Sequence, residues 1–222
     1  FGVDDLEPTF NGDLELSFND RWRLRASGFD FSTSARAQAG RSGRFGDLLI
    51  TQGDAVVADL DMWSTAFELS WAWFRLADGI GRANRLRDGD PREAAVEIRP
   101  VVGARWVEVE QSITDLGTGA RESASGDWLA LTAGLELCLE WTPPDGLLIG
   151  RALRLEAGGA IGPAVTNDFG FVWQVRAGAA LEVIDHAEIF FGYRLLELDV
   201  EDGGYDFDGG LQGLFVGGTV RF

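Results

Sequence analysis

The chain of 222 residues contains one cysteine and one histidine, Cys138 and His186, and it contains no lysine. A single cysteine cannot form an internal disulfide, and the ligand spacings of zinc and haem sites are missing because these two residues are the only ones of their types. All 19 basic residues are arginine, against 36 acidic residues, and the net charge of −17 would repel a polyanion such as DNA. Composition therefore predicts no disulfide, no metal site or other cofactor, and no nucleic-acid partner.

Long uninterrupted apolar runs are also missing, although apolar residues make up 45% of the sequence. A helix that crosses a bilayer needs roughly 20 consecutive apolar residues, so a helical membrane protein is excluded. The chain is instead rich in glycine, with 30 residues, and in aromatic residues, at 11%. Glycine suits tight turns, and Phe and Trp suit strands. The composition favours an all-β fold, which we predict as a single domain over residues 1–222.

Alternation of apolar and polar residues with a period of two recurs along the chain and predicts strands. Short turns alternate with longer polar connections, which is the pattern of bacterial membrane barrels. Residues 36–54, 112–126 and 201–208 are predicted as long loops, with an additional small hairpin that turns at residues 52–54. Nine long strands are predicted, at residues 9–18, 21–35, 55–75, 94–111, 127–141, 148–159, 168–183, 187–200 and 209–222.

Alternate residues divide each predicted strand into an apolar and a polar face; Trp173 and Val175, for example, alternate with Gln174 and Arg176. The tryptophans on the apolar faces fall near the two ends of the strands. Indole rings favour the headgroup level of a bilayer, so this placement indicates two aromatic belts around a lipid-facing band. The alternative is the core of a large soluble β-sandwich. The predicted belts comprise Trp22, Trp63, Trp73, Trp106 and Trp141.

The polar faces carry nearly equal numbers of acids and arginines, which predicts a salt-bridged interior. Buried charges must be paired and hydrogen-bonded because their desolvation is costly, and the planar guanidinium suits such a network. We expect Arg176, Arg194 and Arg221, on three consecutive strands, to point inward and meet carboxylates. The alternative is a polar permeation path lined by the same side chains. The predicted lumen charge network comprises Arg99, Arg105, Glu136, Glu140, Arg154, Glu156, Arg176, Glu182, Arg194 and Arg221. The polar faces also hold Asp13, Glu15, Glu68, Glu97, Glu188, Arg23 and Arg25.

Catalysis is not expected from any of these side chains. Glu136 and Glu140 share one strand face, but at roughly 3.4 Å per residue they lie ~13 Å apart, too far to flank one glycosidic bond. His186 follows Asp185 in a predicted short turn, without a convergent nucleophile. Cys138 has inward parity and is interpreted as a small filling residue.

The C-terminal segment carries a family resemblance. Residues 214–222 end in an aromatic residue, and they follow a strand and an acidic loop at residues 191–204. Alternate residues of this last segment share the outward parity: Leu214, Val216, Gly218, Val220 and Phe222. The pattern resembles small outer-membrane β-barrels, the broad group containing the OmpA membrane domain and the opacity-type porins. In that group the terminal aromatic, here Phe222, belongs to the signal read by the barrel-insertion machinery. The likeness covers residues 94–222 and is weaker before them.

The resemblance implies an antiparallel up-and-down transmembrane β-barrel in the outer membrane of a Gram-negative-type cell. Its implied partners are outer-membrane lipid and lipopolysaccharide, the insertion machinery during assembly, and a protein met through extracellular loops. Bacterial barrels have an even number of strands and no free edge, so about ten strands are expected, one of them upstream of Phe1. Eight and twelve strands are the alternatives.

The expected function is a structural or interaction role with a salt-bridged, mostly closed lumen, and no enzymatic activity. A narrow channel for small polar solutes is the alternative hypothesis, and an outer-membrane barrel enzyme is the least favoured hypothesis.

Overall fold

A computed structural model describes residues 10–18, 21–76, 94–141, 152–166, 170–184, 187–202 and 205–220. The regular structure in these residues is β-strand, in agreement with the predicted all-β fold. Among them, no helix is long and apolar enough to cross a membrane. The strands are β1 (Phe10–Phe18), β2 (Trp22–Gln38), β3 (Gly43–Phe45), β4 (Leu48–Ile50), β5 (Ala55–Trp71), β6 (Phe74–Leu76), β7 (Ala94–Asp115), β8 (Arg121–Trp141), β9 (Ala152–Pro163), β10 (Gly170–Ile184), β11 (Ala187–Asp202) and β12 (Tyr205–Val220).

Nine long strands form one antiparallel up-and-down sheet in the order β1-β2-β5-β7-β8-β9-β10-β11-β12. The short strand β6 continues the line of β5 along β7, because Ser70 pairs with Val101 and Phe74 pairs with Ile98. One extra residue on the β5–β6 side marks a bulge between them. The predicted antiparallel up-and-down arrangement of nine long strands is therefore confirmed.

The sheet curls so that strands distant in the sheet order face each other across a concave side. Arg23 in β2 contacts Glu136 in β8 at 2.7 Å, and Arg194 in β11 contacts Asp13 in β1 at 3.2 Å. Among the described strands, β1 and β12 each have a neighbour on one side only. The described residues thus form a strongly curled sheet in which the edge strand β1 contacts β11, the neighbour of the other edge strand.

The predicted loops at residues 112–126 and 201–208 are wrong in extent. Strand β7 continues to Asp115 and β8 begins at Arg121, and β11 and β12 continue to Asp202 and from Tyr205. In these strand ends the outward positions are polar and the inward positions are mixed. The period-two contrast that indicates a strand is therefore weak, while ladder hydrogen bonds still satisfy the backbone.

The small hairpin predicted to turn at residues 52–54 lies elsewhere. Strands β3 and β4 pair with each other and turn at Gly46 and Asp47. Gly46 has φ +57°, a left-handed conformation that glycine adopts without strain. Residues Gln52 and Gly53 instead turn the chain from β4 into β5, where Gly53 has φ +95°.

Apolar side chains fill the concave side toward the end of the sheet where β7 passes into β8, which we call the upper end. The opposite end, where β2 begins and β8 ends, is the lower end. We call the larger cluster the apolar layer; it comprises Phe29, Met62, Val107, Val109, Trp128, Ala130, Ala164, Val172, Leu196, Leu198, Val200 and Phe207. A second cluster packs the β3–β4 hairpin against the upper ends of β5 and β7; it comprises Ala39, Leu48, Ile50, Val56 and Ile113.

Candidate functional site

Below the apolar layer, charged side chains line the concave side. Two arginines of β2 lie at the centre of their ion pairs. Arg23 and Arg25 are two residues apart, so both point to the same side of the strand. Arg23 contacts Glu15 at 3.1 Å, Glu136 at 2.7 Å and Glu156 at 3.1 Å. Arg25 contacts Glu15 at 2.9 Å and Glu156 at 3.3 Å. These pairs join β2 to its neighbour β1 and, across the interior, to β8 and β9.

Two further arginines extend these contacts to more strands. Arg154 of β9 contacts Glu156 at 3.1 Å and Glu188 of β11 at 3.2 Å. Arg176 of β10 contacts Glu68 of β5 at 2.9 Å and also Glu136. The connected group, which we call the ionic network, comprises Arg23, Arg25, Arg154, Arg176, Glu15, Glu68, Glu136, Glu156 and Glu188.

Strand register explains why these charges meet. Glu15 lies directly opposite Arg25, and Arg25 lies opposite Glu68 on its other side. Glu140 lies opposite Arg154 in the same manner. Opposite charges that face each other across a strand pair attract, whereas like charges repel. The register therefore supplies part of the charge matching, and contacts across the interior supply the rest.

One register position places two arginines opposite each other, and each of them contacts a different carboxylate. Arg176 lies opposite Arg194 in the β10–β11 ladder. Arg176 reaches into the ionic network, whereas Arg194 reaches toward β1 and contacts Asp13 and Asn11, each at 3.2 Å. Each guanidinium is thus matched with a carboxylate in spite of its like-charged neighbour.

A glutamine connects the ionic network to the lower border of the apolar layer. The Gln174 side-chain amide donates to Glu68, and its Oε1 accepts from Arg105 Nη2 at 2.6 Å. Arg105 Nη1 also donates to Ser64 Oγ at 2.8 Å. Arg105 lies opposite Ala66 and Ala130 in the strand ladders. The ionised part of the interior therefore ends at Arg105.

The structure locates nine of the ten predicted network residues. Buried on the concave side are Arg99, Arg105, Glu136, Arg154 and Glu156, and half-buried at alternate positions of the same faces are Glu140, Arg176, Glu182 and Arg194. Arg99 pairs with Glu97 at 2.7 Å. Arg221 and the proposed insertion-signal residue Phe222 lie outside the described residues, as does His186.

The sequence did not indicate which residues are central. Arg23, Arg25 and Glu15 were placed on the polar faces but not in the predicted network. Parity within one strand reports a face, and it does not report which distant strand lies across the interior. The sequence prediction also omits Trp128, although this residue has the same inward parity as Glu136 and Glu140 on the strand predicted at residues 127–141.

The predicted belt residues lie on the convex side of the sheet. Exposed among them are Trp22, Trp63, Trp73 and Trp106, while Trp141 is half-buried. Trp22 also contacts Trp71, with ring centroids 5.8 Å apart. Exposed apolar side chains lie between the two levels of tryptophan, and they include Phe67, Leu69, Val102, Leu131, Leu135, Leu137, Ile161, Val175, Ile189 and Phe191.

The convex side changes from apolar to acidic just above the upper tryptophans. Trp63 lies opposite Glu108, and two residues further along the strands Asp61 lies opposite Glu110. On β11 and β12, Asp199 lies opposite Asp208. All five of these acids are exposed. The outer surface therefore consists of an apolar band and an acidic region above it.

Other candidate chemistry is limited in the described part of the chain. Cys138 is a free, buried thiol. Among the described residues, no group of three or more His, Cys, Asp or Glu side chains is arranged to hold a metal ion.

Comparison of the chain with models of known protein families, with curated proteins and with solved structures finds no match.

Proposed function

We propose that the chain is an integral outer-membrane β-barrel with a structural or interaction role and a salt-bridged, mostly closed interior. The observation that carries the proposal is an inverted polarity between neighbouring residues. Leu135 is 58% exposed on the convex side, whereas Glu136, the next residue, is 2% exposed on the concave side. Soluble proteins distribute leucine and glutamate the other way round.

Lipid is the solvent that fits this surface. A contiguous exposed apolar band of this kind would promote aggregation in water. In a bilayer the same band contacts acyl chains, and the tryptophans at its two levels lie at the headgroups. The acidic residues above the upper tryptophans then lie outside the hydrocarbon region, where lipopolysaccharide and its counterions are the expected neighbours.

Closure of the sheet into a barrel follows from the same proposal. Open sheet edges leave backbone groups unpaired, and such edges are not tolerated against hydrocarbon. The contact between Arg194 and Asp13 brings β1 within side-chain reach of β11, the strand next to the other edge strand β12. Direct pairing of the two edges, or one further strand between them, would close the sheet, and about ten strands remain the proposed number.

A closed interior is favoured over a channel because the charged side chains form ion pairs with one another. Glu136 is held by Arg23 and Arg176, and Glu156 is held by Arg23, Arg25 and Arg154. Charges paired in this way do not form an open polar path, and the apolar layer lies above them. The role proposed here is therefore non-enzymatic and non-conducting, with the insertion machinery and a partner at the extramembrane strand ends as the expected protein contacts.

Reconstitution of the full chain in lipid vesicles tests the proposal. We expect the protein to float with the vesicles and to resist extraction by alkali, because its apolar band is inserted. In planar bilayers it should give no stable openings. Recovery of a folded, monodisperse protein from water without detergent would overturn the membrane assignment, and stable ohmic openings would favour the alternative of a narrow channel for small polar solutes.

A further inference from the structure

The apolar layer is continuous across the concave side, and several of its members are entirely buried. Met62 of β5, Val107 and Val109 of β7 and Val172 of β10 are 0–1% exposed. On β11 the consecutive inward positions Leu196, Leu198 and Val200 belong to the layer, so it is roughly 13 Å thick along the strand.

Trp128 occupies the part of the apolar layer that lies above the upper ends of β9 and β10. Strand β9 ends at Pro163 and β10 begins at Gly170, and Trp128 lies above both, near the upper end of β8. Its indole Nε1–H donates to the backbone oxygen of Glu201 in β11 at 3.0 Å. Its ring also stacks on Tyr205 of β12, with centroids 6.1 Å apart. Trp128 thus connects β8 to β11 and β12 across the interior.

The ionic network and the apolar layer differ in what they offer a permeating ion. Carboxylates and guanidinium groups of the network can replace part of the hydration shell of an ion that enters it. The apolar layer supplies no such partner, so an ion there loses hydration without compensation. Hydrophobic constrictions in channels exclude ions by this means.

We infer that the apolar layer, rather than the ionic network, is the permeability barrier of the interior, and that Trp128 is its central residue. The inference rests on the proposed function, because a barrier to permeation exists only in a membrane-spanning barrel. It adds to that function the location of the seal, in the upper half of the interior. A pocket lined by Glu68, Gln174 and Arg176 lies below this seal, at the border of the ionic network.

Single-channel recording of the full chain in planar bilayers tests the inference. Trp128→Ala removes the central ring, and Leu198→Ser replaces an apolar side chain of the layer with a small polar one. We expect both variants to give ohmic openings that the wild type lacks. Trp173→Ala is the matched control, because it removes an equal ring from the convex side, and Glu136→Gln tests the ionic network. Both controls should remain silent.

Vesicle flotation of every variant separates the two proposals. A wild-type chain that fails to float contradicts the membrane assignment, whatever the recordings show. If Trp128→Ala and Leu198→Ser float and stay silent, or if Glu136→Gln alone opens the interior, the apolar layer is not the barrier.

A measurement on the wild type covers the case in which the variants do not fold. In detergent micelles the indole N–H of Trp128 should exchange with deuterium more slowly than that of exposed Trp73. Rapid exchange at Trp128 would mean that water reaches the layer, and it would overturn the inference.

Discussion

Arg23 and Glu136 are 113 residues apart in the chain, and they lie 2.7 Å apart across the concave side of the sheet. Strands β2 and β8 are separated by two strands in the sheet order. Their side chains can meet only because the sheet curls and brings the two strands face to face. Both side chains are nearly inaccessible to water, and Glu136 is shared with Arg176. The pair is therefore part of what holds the two sides of the interior together.

Replacing Glu136 by Gln should destabilise the protein by about 3–5 kcal/mol, because the buried guanidinium of Arg23 and the half-buried one of Arg176 lose a charged partner. Arg44→Ala is the matched control. Its pair with Asp47, at 3.0 Å, is exposed, and removal of such a pair changes stability by about 0–1 kcal/mol. Denaturant unfolding in lipid or detergent measures both variants. An equal effect at the two sites would mean that the ionic network does not stabilise the fold.

Arginine substitutions on the convex side test which surface meets lipid. Leu135 and Val175 are at the same level, since both lie opposite Gly159. Leu135→Arg and Val175→Arg should each cost about 2–4 kcal/mol in a bilayer if they lie near its midplane. Ser125→Arg introduces the same side chain above the apolar band, opposite Glu110, and should cost about 0–1 kcal/mol. Unfolding from vesicles gives the three values, and their equality would contradict a lipid-facing band.

Gly126→Ala tests the packing of Trp128. A Cβ atom at Gly126 would lie 2.5 Å from the indole ring of Trp128, so the ring or the strand must shift. We expect a loss of about 1–3 kcal/mol from overpacking. Gly213→Ala is the control, because a Cβ atom there meets nothing within 4 Å, and its effect should stay within about 0.5 kcal/mol. Thermal or denaturant unfolding compares them. Comparable values would show that the ring has room to move.

The turn between β7 and β8 should respond to acid through Asp115. Its carboxylate accepts hydrogen bonds from the Thr118 hydroxyl at 2.6 Å and from the Gly117 amide at 2.8 Å, and these bonds lower its pKa below the ordinary 3.8. Because the folded pKa is the lower one, the stabilisation is present above pH 3.8 and is lost as the pH falls through the folded pKa.

Amide exchange at Gly117 measures this response. Protection of the Gly117 amide should decrease in strong acid in the wild type, after correction for the intrinsic pH dependence of exchange. In Asp115→Asn, which carries no titrating group there, protection should be lower at neutral pH and should not change with acid. Unchanged protection in the wild type would exclude the carboxylate as the cause.

The sequence determined the strands and their two faces. Period-two alternation needs only local information, because successive side chains of a strand point to opposite sides whatever lies across from them. Leu135 and Glu136, or Val175 and Arg176, could therefore be assigned to opposite faces, and their placement in the structure agrees. Strand ends were less predictable where both faces lose their contrast, as beyond Gln111 and Val200.

Only the tertiary structure decided which charges meet and what lies above them. The partners of Arg23 depend on the curl and stagger of the whole sheet, which bring β2 opposite β8 and β9 over a separation that no local pattern records. The division of the concave side into an ionic network below and an apolar layer above has the same origin. Parity places Arg105 and Val107 on one face, but the neighbours that bury them, among them Trp128 and Gln174, come from other strands. Folding of the sheet on itself makes one end of the interior ionic and the other apolar, because side chains from distant strands share its narrow cross-section.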